Sequence, residues 1–125
     1  MTQGYFDEWF ESAGRRLKVS SIEAAESTKD PRWRKEAAFD LHQGCERLYN
    51  CLLLVTTLYS PKSHRLNYLR SLSEQIDERL MTAWPRETRL ERRCFELLRR
   101  SYIEARYSAH FKISAEELAW LSQRT

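Results

Sequence analysis

The sequence predicts an all-α protein, an up-and-down antiparallel bundle of four main helices plus a short C-terminal helix. Three observations predict it. Helix-forming Leu, Glu, Arg and Ala dominate the 125 residues, whereas glycine and proline, which break helices, occur only three times each. Apolar residues recur at spacings of three and four along most of the chain. The total length is that of one domain, which we assign to residues 1–125.

The first helix is predicted from Tyr5 to about Ser27. Its apolar residues recur at spacings of three to five, namely Phe6, Trp9, Phe10, Ala13, Leu17 and Ile22. A polar break follows, in which Asp30 can cap the next helix and Pro31 can occupy its first position, because no N–H partner is needed there.

The second helix, from Arg32 to Leu58, is predicted to be the spine of the core. Its main apolar seam consists of Ala38, Leu41, Cys45, Leu48, Leu52 and Val55, at alternating spacings of three and four. A second stripe beside it consists of Phe39, His42, Glu46, Tyr49 and Leu53. The helix must end before Pro61, since a residue that precedes proline is disfavoured in the α conformation.

The third helix is predicted from Arg65 to about Leu80, with Leu66, Leu69, Leu72 and Ile76 on one face. Pro85 separates it from the fourth.

Two capping boxes mark the remaining helix starts. Thr88 with Glu91 begins the fourth helix, which extends to about Tyr107. Ser114 with Glu117 begins the short terminal helix, with Leu118, Leu121 and Trp120 facing the core.

Composition excludes several classes of protein. The three cysteines, Cys45, Cys51 and Cys94, are odd in number and lack C-x-x-C spacing, so we expect reduced core thiols. The longest apolar run is far shorter than the roughly 20 residues that span a bilayer, and the first residues do not resemble a signal peptide. We therefore expect a cytoplasmic protein without membrane contact. No glycine-rich phosphate loop is present, so any nucleotide must be held by side chains and helix ends.

The fourth helix carries a cationic ridge opposite an apolar face. The ridge consists of Arg89, Arg92, Arg99 and Arg106, with Arg93 and Arg100 nearby, and the apolar face of Leu90, Cys94, Leu97, Leu98 and Ala105. Guanidinium groups match phosphate oxygens, so the ridge could bind phosphates. The alternative is an ordinary solvated face that is balanced by Glu91, Glu96 and Glu104.

Arg106 and His110 are four residues apart and share a face if the helix continues that far. Such a pair could bind phosphate, or could supply charge stabilisation and acid–base catalysis in metal-independent RNA cleavage. Alternatively, Tyr107 and Phe111 pack while Arg106 pairs with a carboxylate such as Glu46.

His42 and Glu46 are also four residues apart, the spacing of two metal ligands on a helix. No further ligand lies near them in sequence, so we expect no metal and no cofactor. A buried His–Glu pair that links the second and fourth helices is the principal expectation, and contact with a ligand is the alternative.

Three segments together identify a family resemblance. Residues 37–49, AAFDLHQGCERLY, resemble the A-A-F-x-L-H-Q-A-A-E-R segment of HEPN domains. Residues 61–66, PKSHRL, resemble the P-x-T-H-x-L that opens the third helix of that family, and residues 102–107, YIEARY, resemble its Y-x-x-A-R-Y. The resemblance is strongest to the HEPN half of bacterial proteins that also contain a nucleotidyltransferase domain, and to the HEPN domain of sacsin.

The resemblance implies a helical homodimer that binds nucleotide, ATP or GTP, or acts with a nucleotidyltransferase domain or partner. Other HEPN proteins are RNases, often toxins of toxin–antitoxin pairs, whose hallmark is an Arg followed after four to six residues by His. This chain departs from that hallmark, because Arg34 is too far from His42 and Arg106 is too near His110.

Three functions follow as hypotheses. The first is a nucleotide-binding and dimerisation module whose site residues are His42, Glu46, Tyr49, Arg99, Arg106 and Tyr107. Arg106 and Arg99 would bind the phosphates, and Tyr107 or Tyr49 would stack on the base. The second is a metal-independent RNase that uses Arg106 and His110. The third is an interaction-only bundle without a ligand.

Overall fold

A computed structural model describes the backbone of residues 2–57, 64–107 and 111–124, and the side chains of residues 7–54, 56, 64–105 and 111–124. Within these ranges the chain forms five α helices and one 3₁₀ helix, and no strand. The α helices are α1 (Thr2–Glu26), α2 (Trp33–Thr57), α3 (Leu66–Ile76), α4 (Arg89–Tyr107) and α5 (Ala115–Arg124), and the 3₁₀ helix is Glu78–Thr82. The all-α bundle predicted from the sequence is confirmed.

Helix α2 is the centre of the bundle, as its seam predicted. It contacts α1, α3, α4 and α5, and most extensively α1. Two serines lie at contacts between α2 and its neighbours. Ser20 of α1 donates to the Ala37 carbonyl at 2.7 Å, and the Ser101 hydroxyl of α4 is shared between the Leu98 carbonyl at 2.7 Å and the Ala38 carbonyl at 3.2 Å. All of these residues are buried, so α1 and α4 contact one turn of α2 from two sides.

The glycine of α2 allows the close approach of α1. A Cβ atom added at Gly44 would lie 2.5 Å from the Leu17 side chain, closer than non-bonded carbon atoms approach each other. The glycine therefore accommodates Leu17 at the contact between the two helices, although glycine is a weak helix former.

The core differs in detail from the predicted seams. Ala38, Leu41 and Cys45 are buried as expected, but Leu48 and Leu52 are only half-buried, whereas the second-stripe residues Tyr49 and Leu53 are buried. Val55 lies outside the described side chains. The buried face thus shifts toward the second stripe along α2, because α3 and α4 pack there.

Four residues that the sequence assigned to apolar faces are exposed. Phe10 and Ile22 of α1 are more than half exposed, and Ile76 at the end of α3 and Leu90 in the first turn of α4 are also exposed. Helix α1 begins at Thr2, earlier than predicted, and packs against α2 at Ala13, which is fully buried, and at Leu17. A spacing of three to five covers more than one helical face, so apolar spacing alone did not distinguish exposed apolar residues from buried ones.

The predicted third helix is too long. Helix α3 ends at Ile76, and Asp77 adopts an extended conformation with φ −144° and ψ 106°. The Asp77 carboxylate accepts the Arg79 N–H at 3.0 Å and thereby caps the 3₁₀ helix that follows. An aspartate in a helix competes for backbone donors in this way, and this competition ends α3 before Leu80.

Both predicted capping boxes are present. The Glu91 N–H donates to the Thr88 hydroxyl at 3.1 Å, and the Thr88 N–H donates to the Glu91 carboxylate at 2.9 Å. The same reciprocal pair joins Ser114 and Glu117, at 3.1 and 2.8 Å. The starts of α4 and α5 are therefore determined locally, by residues three apart.

We predict that Thr88→Ala lowers the free energy of unfolding by about 1 kcal/mol, because an N-cap acceptor is lost. Urea denaturation followed by circular dichroism measures the change. Thr28→Ala is a suitable control, since Thr28 is also exposed and its hydroxyl donates only to the Ala25 carbonyl, at a helix end. Equal losses in the two variants would contradict the capping role.

Cys45, Cys51 and Cys94 are free and buried, as predicted. Burial raises the pKa of Cys45 to about 12 and that of Cys94 to about 11, so both are protonated thiols. Among the described residues, no helix is both long and apolar enough to cross a bilayer.

Candidate functional site: a groove between α3 and α4

A groove with a volume of about 480 Å³ opens between the start of α3 and the second half of α4. Its walls consist of His64, Arg65, Asn67, Arg99, Arg100, Tyr102, Ile103 and Glu104. We call it the α3–α4 groove. A second depression of about 320 Å³ adjoins it and shares Asn67 and Arg99. Basic and aromatic side chains thus lie together at one surface.

The basic residues of the groove are Arg65, Arg99 and Arg100. Arg99 donates to Glu96 one turn before it, and the Arg100 Nε donates to Glu104 at 2.6 Å. Arg99 and Arg100 are half-buried, so part of each guanidinium remains accessible. The carboxylates pre-orient the guanidinium groups but also partly neutralise them, and an incoming anion must compete with them.

The first turn of α3 also faces the groove. Arg65 is the N-cap, and its side chain makes no capping hydrogen bond. Its carbonyl accepts the Tyr68 and Leu69 N–H groups at 3.0 and 3.1 Å, but the first N–H groups of a helix have no partner within it. The positive end of the helix dipole therefore adds to the cationic character of the groove.

His64 is held in a fixed orientation on the groove wall. Its Nδ1 lies 2.8 Å from the Glu46 Oε1, and its ring stacks on Tyr102 with centroids 4.7 Å apart and planes 12° apart. The His64 side chain is 58% exposed, whereas the Glu46 side chain is only 7% exposed. A buried carboxylate of α2 thus holds an exposed imidazole.

Glu46 is an unusual acid because of its position. Burial raises its pKa, and the nearby His64 opposes this by charge attraction and hydrogen bonding. Its second oxygen, Oε2, is buried and lacks a hydrogen-bond partner among the described residues. Holding His64 is therefore the principal contact of this carboxylate.

His42 lies beneath the groove wall and is fully buried. Its Nδ1 is 3.7 Å from the Glu46 Oε2, too far for a hydrogen bond, and neither ring nitrogen has a hydrogen-bond partner among the described residues. Its ring stacks near Tyr102, with centroids 5.4 Å apart. Burial, together with the charge of the neighbouring His64, lowers the pKa of His42 to about 4. His42 is thus a neutral, buried residue at pH 7.

Tyr102 connects these groups. Its ring also stacks on Phe39, with centroids 6.3 Å apart and planes 17° apart, in addition to its contacts with His42 and His64. Aromatic and imidazole rings from α2, α4 and the segment before α3 therefore form one cluster behind the groove. The second stripe of α2, which the sequence singled out, supplies Phe39, His42 and Glu46 to it.

The predicted site residues divide into three groups. His42 and Glu46 lie together under the groove, and Arg99 lines it. Tyr49 instead is buried and lines a separate apolar pocket of about 220 Å³. The Arg106 and Tyr107 side chains and the whole of His110 lie outside the described residues, so those predictions stay as they were made.

Sequence reasoning did not assign Arg65, Asn67, Ile103 and Glu104 to the site. His64 and Tyr102 appeared only as letters of family-like segments, and Arg100 only as a neighbour of the ridge. One sequence signal could have pointed to His64. Glu46 lies in the family-like segment 37–49 and His64 lies in the family-like segment 61–66, so both could have been assigned to one site. Their contact depends on how the chain returns to α2 and could not be read from spacing.

Three described arginines of the cationic ridge, Arg89, Arg92 and Arg93, form a solvated surface outside the groove. Arg92 is exposed and donates to the carbonyls of Arg86 and Glu87 at 2.8 and 3.0 Å. Arg93 pairs with Glu117 of α5 at 2.6 Å, and Arg89 is exposed at the start of α4. Among the described residues, no group of three or more acidic, histidine or cysteine side chains is arranged to hold a metal ion.

Comparison with known proteins places this geometry in a family context. The sequence profile of the HEPN domain matches residues 6–121 of the chain. The match includes parts of all five α helices and every groove residue. A search of curated proteins gave no match.

Proposed function

The chain belongs to the HEPN domain family, and from this premise we propose that it binds a nucleotide, ATP or GTP, in the α3–α4 groove. The observation that supports the proposal is the grouping of Arg65, Arg99 and Arg100 beside the first turn of α3, with exposed ring surface next to them. Guanidinium groups and helix N-termini favour phosphates, and aromatic rings favour bases. The volume of the α3–α4 groove is within the range typical of small-molecule sites.

We further propose that the domain acts as a homodimer together with a nucleotidyltransferase domain or partner protein. The support is the resemblance of residues 37–49, 61–66 and 102–107 to HEPN segments of nucleotidyltransferase-linked proteins. Light scattering tests the dimer: two chains of 15.0 kDa give a particle of 30.0 kDa. A nucleotidyltransferase gene beside this one, or fused to it, would support the partnership.

Nucleotide binding is tested by calorimetric titration of the purified protein with ATP and with GTP. We expect Arg99→Ala to weaken binding by about tenfold or more, because a charge-assisted hydrogen bond to phosphate is lost. Arg89→Ala is the matched control. It removes the same charge from the same helix, about 15 Å away along the axis and outside the groove.

Two outcomes would contradict the proposal. One is the absence of heat with either nucleotide, accompanied by an unchanged thermal midpoint, since a ligand that binds only the folded state must raise that midpoint. The other is equal weakening by Arg99→Ala and Arg89→Ala, which would indicate nonspecific attraction. In the first case the interaction-only bundle would be the better description.

The RNase alternative depends on Arg106 and His110, and no described contact favours it over nucleotide binding. Its test is RNA cleavage in EDTA by the wild type and by His110→Ala. Cleavage that persists in EDTA and is lost in the variant would establish this alternative.

A further inference from the structure

We propose that His64 provides the surface on which the base of the bound nucleotide stacks, and that Glu46 is the residue that positions it. The inference rests on the proposed nucleotide site and assigns the recognition of the base to particular residues. His64 would contact the ligand directly, whereas Glu46 would act only through His64. The groove would then select nucleotides over other polyphosphates.

The first argument is that the His64 ring is fixed although it is exposed. The Glu46 carboxylate holds one edge of the ring through Nδ1 at 2.8 Å, and Tyr102 covers a face at 4.7 Å. An exposed side chain normally keeps several rotamers, and ordering it on binding costs free energy. A ring that is already ordered avoids that cost, so it is a better stacking surface than a mobile one.

The second argument is that Glu46 is costly as a purely structural residue. Its side chain is only 7% exposed, and Oε2 has no hydrogen-bond partner in the described part of the chain. A buried carboxylate with an unsatisfied oxygen destabilises a fold, and an apolar residue of similar size would stabilise it at least as well. Among the described residues, the one hydrogen bond of its carboxylate is to His64, so its contribution lies in the orientation of that ring.

The third argument is the division of chemical character in the groove. Arg65, Arg99 and Arg100 supply positive charge. His64, Tyr102 and the exposed Ile103 supply flat or apolar surface. A ligand that satisfies both parts has an anionic group joined to a planar group, which is the composition of a nucleotide and not of inorganic phosphate or polyphosphate.

The experiment compares two ligands, ATP and inorganic tripolyphosphate, by titration of the full chain. We expect His64→Ala to weaken ATP binding by about tenfold and to leave tripolyphosphate binding within about twofold of wild type, since stacking on a base is lost but charge is largely kept. His64→Phe keeps a ring but loses the hydrogen bond to Glu46, so we expect it to weaken ATP binding about as much as Glu46→Leu does. Tyr68→Ala is the matched control, since Tyr68 is an exposed aromatic residue of α3 outside the groove.

Glu46 is tested by two substitutions with opposite expectations. Glu46→Leu should release the ring and weaken ATP binding nearly as much as His64→Ala does, while its thermal midpoint stays at or above that of wild type. Glu46→Gln should restore most of the affinity, because its amide oxygen can still accept the Nδ1–H of His64. A purely structural role of Glu46 would lower the thermal midpoint and affect both ligands alike.

A second readout detects stacking independently of affinity. The fluorescence of 2-aminopurine riboside triphosphate should be quenched at saturation by wild type and remain unquenched at saturation by His64→Ala. Unchanged ATP affinity and unchanged quenching in His64→Ala would overturn this inference while leaving the nucleotide site intact. Failure of wild type to bind either ATP or tripolyphosphate would instead overturn the proposed site itself.

Discussion

Acidification from pH 7 to pH 4 is expected to lower the free energy of unfolding by about 3 kcal/mol through His42 alone. A histidine in the unfolded chain has a pKa near 6.5, whereas burial and the charge of the nearby His64 lower the pKa of His42 to about 4. Between these values the unfolded state binds a proton that the folded state does not bind. The stability contributed by neutral His42 is therefore complete above pH 6.5 and is lost as the pH falls toward 4.

The variant that isolates this contribution is His42→Leu, which has no titrating group. Urea denaturation at pH 7 and at pH 4 should show that the variant keeps about 3 kcal/mol more of its pH 7 stability than wild type does. Nuclear magnetic resonance gives a direct check, since the His42 ring should not titrate above pH 5. Parallel stability profiles, or a His42 titration near pH 6.5, would refute the assignment.

Alkaline conditions are expected to destabilise the domain through Glu23. Its carboxyl hydrogen-bonds Asp40 of α2, and burial, this hydrogen bond and the charges of Asp40 and Glu36 together raise the pKa of Glu23 to about 8. The folded state therefore binds a proton between pH 4.5 and 8 that the unfolded state has released. The resulting stability is complete below pH 4.5 and is lost as the pH rises through 8.

Glu23→Gln should remove this loss, because an amide can donate to Asp40 at every pH. We expect the variant to be about 1–2 kcal/mol more stable than wild type at pH 9 and equal to it at pH 4.5. This magnitude is reduced from the full pKa shift because Glu23 is half-buried and solvent screens its charge. Glu26→Gln, an exposed change on the same helix, is the control. Equal effects of the two substitutions would indicate a general charge effect instead.

The two titrations act in opposite directions between pH 4.5 and 6.5. There the His42 contribution rises with pH while the smaller Glu23 contribution falls, so wild-type stability should rise with pH less steeply than the His42 contribution alone. Each single variant should reveal the slope that the other group supplies. The measurement therefore requires both variants, since the wild-type profile alone would hide two compensating groups.

Local signals in the sequence determined much of the fold. The Thr88–Glu91 and Ser114–Glu117 boxes predicted two helix starts correctly because the partners of a capping box are three residues apart. The Asp30–Pro31 break predicted the start of α2 to within a residue. Asp77 shows the limit of this reasoning. The leucine and isoleucine spacing before it predicted a third helix that ends at about Leu80, whereas α3 ends at Ile76.

The candidate site was only partly accessible to the same reasoning. The spacing of His42 and Glu46 indicated that they are neighbours, and the arginines of α4 indicated a cationic surface. The actual partner of Glu46 is His64, 18 residues away, and nothing in the spacing between them encodes that contact. Helical spacing could predict that Glu96 pairs with Arg99 and that Glu104 pairs with Arg100. It could not predict that these pairs lie in a groove beside α3.

The sequence by itself therefore determined the all-α class and the central role of the second helix. It also indicated that His42 and Glu46 are the neighbouring polar residues of that helix. Helical periodicity and capping act over three or four residues, so they can be read directly from the chain. Only the tertiary structure decided that Glu46 contacts His64 and that the Tyr102 ring stacks with His42 and His64. It also decided that Tyr49 lies in a different pocket. These contacts depend on how separate helices pack against one another, which no local pattern specifies.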